Sequence, residues 1–122
     1  EFVEAEGTNE DMAEFVNPLA DLGQKVEKLT MEIGMKAFQN PDEAGAAAVD
    51  YLRIIGHLVL GYFWARMAKI ALERQDSDDP LYRSKLATAR FYFAKLMPET
   101  AALIRSARAG AKPLMDVEVD LF

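Results

Sequence analysis

The sequence predicts an all-α fold: an antiparallel up-down helical bundle of three long helices, or four if the last is broken at Pro98. Three observations predict it. Met12, Phe15, Leu19, Leu22, Val26, Leu29 and Ile33 recur at alternating spacings of three and four, the seam of a packed helix. Tyr82, Leu86, Ala89, Phe93, Leu96, Thr100, Leu103, Ala107, Gly110 and Leu114 make a second such seam. Between them, Val49 to Leu72 is apolar in nearly every direction, and a helix that is apolar all round has to be covered on several sides. That stretch is the central helix, and the two seams are expected to face it.

Each element follows from local chemistry. Residues 1–8 are acidic without a clear period and read as a linker or tail. The helical bundle domain takes 9–114. Thr8 and Asp11 resemble a weak capping box. Pro18 either starts the main first helix, with Asn17 as its cap, or kinks a longer one, and the unbroken phase favours a kink or a tight restart. At the next turn Asn40 suits the N-cap, Pro41 the first helical position, and Asp42 and Glu43 the helix dipole. The central helix then runs to about Arg74, about 50 Å. Gly56 and Gly61 are expected to let a neighbouring helix approach closely.

Asp79 caps the third helix and Pro80 starts it. Pro98 cannot bond back to the Ala94 carbonyl and its ring clashes there, so the helix bends or breaks. Gly110 and Pro113 end it. Asp116 to Phe122 alternates charged and apolar residues like a strand, but one strand without a partner is unstable, so 115–122 reads as a C-terminal tail.

Length and composition bound the function. A chain of 122 residues suits one domain. With no cysteine there is no disulfide framework and no thiolate metal site. The formal net charge of −6 argues against nucleic acid as a partner. Arg53 and Arg66 bracket only 12 positions, short of the roughly 20 that a membrane span needs, so no membrane span is expected. No signal peptide is visible, which makes a cytoplasmic location the default. The chain begins at Glu1 rather than Met, as a processed chain or a piece of a longer one would.

His57 is the one histidine. His57-Leu58-Val59-Leu60-Gly61 echoes the His-x-x-Lys-Gly pattern of histidine phosphotransfer domains, themselves helical bundles. Leu60 stands where the lysine would be, and the flanks are apolar. A histidine satisfied within its own helix face, near Asp50 and Arg53, is the simpler reading. No Glu-x-x-His pair, phosphate-cradling glycine loop or nucleophile–base spacing is present, so no catalytic, cofactor-binding or metal residue is expected. The basic residues Arg83, Lys85, Arg90, Lys95, Arg105, Arg108 and Lys112 read as a solvated face, with docking of an acidic partner as the alternative. Trp64 and Phe91 lie off both seams and are the candidate domain-interface residues, the alternative being second-layer core.

Ala48-Val49-Asp50-Tyr51-Leu52-Arg53 with Gly56, then Ala65-Arg66-Met67-Ala68, resembles the C-terminal helical domain of bacterial acyl-CoA dehydrogenases. So do the run Tyr82 to Tyr92, the following Leu96-Met97-Pro98, and Ala109-Gly110-Ala111 with Leu114-Met115. The similarity is to the branch containing methylmercaptopropionyl-CoA dehydrogenases. The resemblance implies an intact flavoprotein that oxidises acyl-CoA to 2-enoyl-CoA with FAD as cofactor, as in fatty acid metabolism. It implies that FAD, the acyl-CoA substrate and the catalytic base belong to upstream dehydrogenase domains. This fragment, inactive alone, would pack on that core or on a neighbouring subunit of a homo-oligomer. The rival readings are a stand-alone signalling or phosphotransfer bundle centred on His57 and a plain protein-interaction bundle.

Overall fold

The computed structural model describes residues 1–122, which form helices and turns and no strand. In chain order the elements are α1 (Phe2–Glu6), a 3-10 turn (Glu10–Met12), α2 (Ala13–Gln39), α3 (Asp42–Glu73), α4 (Pro80–Phe91), a π-helical segment (Tyr92–Leu96), α5 (Glu99–Arg108), α6 (Lys112–Met115) and a 3-10 turn (Val119–Leu121). The antiparallel bundle is built on α3, with α2 along one side and α4 and α5 along another. The third long helix is broken near Pro98, giving the four-helix form.

The first eight residues are not a loose tail. Phe2 and Val3 pack against the core, with the Phe2 and Tyr62 rings edge to face at 5.6 Å. Glu6 is buried, and its carboxylate takes Lys69 Nζ from α3 and Asn9 Nδ2 at 3.3 Å. These long-range contacts hold a helix too short to stand alone. The cap that follows is Asn9 rather than Thr8: Asn9 Oδ1 accepts the Asp11 N–H at 3.2 Å. Pro18 lies inside α2, which runs through it without a restart.

The α2 seam is buried from Met12 to Leu29, and Ile33 is half-buried where the covering ends. Asn40 Oδ1 accepts the Asp42 N–H at 3.2 Å and Asp79 Oδ1 the Leu81 N–H at 2.9 Å, so both expected caps form. At the last break the chain widens before it reaches the proline. The Met97 N–H bonds to the Tyr92 carbonyl, five residues back, at 3.0 Å. This wider π turn carries the preceding carbonyls clear of the Pro98 ring, which an α-turn would not. One residue is absorbed there, so Met97 is buried and Leu96, expected on the seam, is exposed. The seam resumes at Thr100, Leu103 and Ala107.

Gly110 ends this run in the left-handed region, at φ 76°, and the Ala111 N–H is taken up by Glu43 Oε2 at 3.2 Å. Pro113 stands in the first turn of α6 instead of ending α5, and Leu114 is 64% exposed, off the seam. Gly61 does allow close approach, since a Cβ there would collide with Met97 Cε, but Gly56 faces open space.

By length and composition α3 could cross a bilayer, with a mean hydropathy of 1.2 over its most apolar window. Here three other helices pack along it, and its Arg53 and Lys69 pair with Glu99 and Glu6. Even so, α3 is not covered all round, as its apolar sequence leads one to expect. Val49, Leu52, Val59, Phe63 and Ile70 are exposed. They lie two positions out of phase with the buried Ala47, Ile54, Gly61 and Ala68, on the opposite face.

Candidate functional site

Two features stand out, a polar cluster at the α4–α5 joint and the bare apolar flank of α2 and α3. In the cluster, His57 has both ring nitrogens partnered: Nδ1 lies 3.0 Å from Tyr92 Oη and Nε2 2.9 Å from Glu99 Oε2. Tyr92 Oη also donates to the His57 carbonyl at 3.0 Å. Burial pushes the Tyr92 hydroxyl up to about 12, so it stays a donor at neutral pH. Hydrogen bonding from His57, reinforced by Arg53, holds the Glu99 carboxyl below the usual glutamate range. The cluster ties α3 to both sides of the joint. Neither imidazole nitrogen is free to attack a phosphoryl group, so His57 is a satisfied side chain, its partners being Tyr92 and Glu99 rather than Asp50.

The Lys69 ammonium does the same for Glu6, holding its carboxyl below the ordinary range. For both glutamates the folded carboxyl releases its proton at lower pH than the unfolded one. Their stabilisation is therefore complete above the ordinary glutamate range and is lost as pH falls through the lower folded values. The melting temperature should hold from pH 7 to about 5 and drop below about pH 4. Glu99→Gln should lower it at pH 7 and flatten the acid limb; thermal melts across pH check this.

Of the basic residues of the C-terminal third, Arg90, Arg108 and Lys112 form ion pairs and Lys85 packs on a ring, while Arg83, Lys95 and Arg105 remain a solvated face. Arg90 holds Glu14 at 2.8 Å, Arg108 holds Glu32 at 2.8 Å, and Lys85 lies over the Trp64 ring at 5.8 Å. Trp64 is half-buried and stacked on Tyr92 at 6.3 Å, as second-layer core. Phe91 is 56% exposed and makes no aromatic contact. The sequence pointed to these two and missed a larger apolar surface. On α2, Met31, Met35 and Phe38 project outward, Phe38 being 94% exposed. Beside them lies a groove of about 670 Å³ lined by Ile33, Ala37, Ala48, Leu52 and Ile55. A second, of about 730 Å³, lies between α1, α2 and α3. An apolar surface of this kind is a candidate interaction site.

The acetyl-CoA dehydrogenase C-terminal like family model matches residues 1–118. The chain belongs to this family. The match takes in α1 and runs to the start of the last turn. No curated protein matches the chain. The acetyl-CoA dehydrogenase C-terminal like family belongs to FAD-dependent oxidoreductases, so the fit of a flavin to these residues can be asked directly. It is poor. Gly23 and Gly34 line the grooves from within α2, where backbone N–H groups are already bonded within the helix. The larger groove is lined by Glu1, Glu4 and Glu27 and has no lysine or arginine among its lining residues to hold a pyrophosphate.

Proposed function

We propose that this chain is the accessory helical domain of an FAD-dependent acyl-CoA dehydrogenase, acting in packing and assembly rather than in the chemistry. The observation that carries this is the apolar flank formed by Met31, Met35 and Phe38, which no part of the chain covers. The family match supports reading that flank as part of a larger enzyme. FAD, held by the upstream dehydrogenase domains, would supply the hydride acceptor for oxidation of acyl-CoA to 2-enoyl-CoA. This domain would seat its α2 ridge against those domains. The resemblance of the whole helical domain, rather than any one run, is what suggests the methylmercaptopropionyl-CoA dehydrogenase-like branch.

The isolated chain should bind no FAD and turn over no acyl-CoA, while the intact enzyme does both. Flavin absorbance of the purified chain and an acceptor-dye assay with acyl-CoA test this. A yellow isolated chain with stoichiometric flavin would overturn the division of labour.

A further inference from the structure

The exposed stripe of α3 has a period of its own. Gly45, Val49, Leu52, Gly56, Val59, Phe63, Arg66 and Ile70 alternate spacings of four and three, which is a heptad seam. None of them is buried, and at Gly45 and Gly56 an added Cβ would meet nothing within 4 Å. A seam with this period fits another helix crossing at roughly 20°.

We propose that the occupant is α3 of a second copy of this chain, antiparallel about a two-fold axis between His57 and Leu58. The stripe maps onto itself under that axis. Leu52 then faces Phe63 of the second copy, Val59 faces its Gly56, and Ile70 faces its Gly45. Val59 and Ile70 meet glycines, Leu52 and Phe63 meet each other, and the same patch serves both copies, as an isologous interface requires. The charges agree as well. Arg53 and Lys69 are paired within the chain, to Glu99 and Glu6. Asp50 forms no ion pair, and Arg66 touches only the Tyr62 ring and hydroxyl. In the antiparallel pair Asp50 of each copy comes beside Arg66 of the other, twice over. A parallel pair would set Arg66 against Arg66. Asp42 and Glu73 lie at the far ends, where helices crossing at this angle diverge.

The proposal deepens the assembly role above by naming a partner, and it rests on that reading only for where the contact operates. The native chain has no cysteine, so engineered thiols report cleanly. Leu52→Cys/Phe63→Cys should form a disulfide-linked dimer under mild oxidation. Leu52→Cys alone should not, because the two copies of residue 52 lie about 16 Å apart along the axis. These positions are exposed, so the variants should keep the wild-type circular dichroism. In sedimentation, Asp50→Arg and Arg66→Asp should each raise the dimer dissociation constant about fivefold, and the combined swap should restore it. No dimer from the double-cysteine chain, or equal cross-linking by Leu52→Cys alone, overturns the antiparallel pair. Either failure leaves the family assignment and the flavin result untouched, and a flavin-binding isolated chain would leave the cross-linking result standing.

Discussion

Phe93→Ala should destabilise the chain by about 3–5 kcal/mol, as truncation of a core aromatic does. Phe93 is buried at the π segment, and its ring meets that of Phe15 from α2 edge to face at 5.5 Å. Its loss leaves a cavity where α2, α3 and the α4–α5 joint converge. Trp64→Ala is the informative comparison. Because Trp64 stacks on Tyr92 and carries Lys85 over its face, it should also cost stability in the isolated chain, about 1–3 kcal/mol. Thermal melts rank the two. A larger loss for Trp64→Ala than for Phe93→Ala would mean that the joint is packed around the wrong ring.

The second large effect separates two neighbours on α3. Ile54 is fully buried and Leu52 is 72% exposed. Ile54→Ala should cost about 2–5 kcal/mol, whereas Leu52→Ala should stay within about 0.5 kcal/mol in the monomer. Measured by denaturant titration at low protein concentration, the contrast reports directly on the bare flank of α3. Comparable losses at both sites would show that the flank is covered.

Much of this architecture is legible in the residues. The α2 seam and the Asn40 and Asp79 caps work through neighbours in the chain, and each appears where the local pattern places it. What escaped depends on contacts distant in sequence or on a change of register. α1 exists because Glu6 meets Lys69, 63 residues away, and no local pattern encodes that. The π turn absorbs a residue, so Leu96 and Met97 exchange roles although Pro98 correctly marks the break. The bare side of α3 is hidden for another reason. A helix that is apolar on every face gives no contrast by which to tell the covered sides from the free one, and the heptad in Val49, Leu52, Val59 and Phe63 becomes visible only once Ala47, Ile54, Gly61 and Ala68 are known to face inward. The candidate interface residues show the same limit. Trp64 and Phe91 lie off the seams alike, yet one is folded onto Tyr92 and the other left in solvent.

Hydroxyl-radical footprinting of the proposed intact dehydrogenase beside the isolated chain tests the assembly role most directly. Met31, Met35 and Phe38 are exposed on the α2 ridge, Met115 is exposed on α6, and Met12 is buried. In the intact enzyme the three ridge residues should be modified at least about tenfold more slowly than in the isolated chain, approaching the rate of Met12, while Met115 reacts alike in both. Equal modification of Met31, Met35 and Phe38 in the two samples would contradict the account.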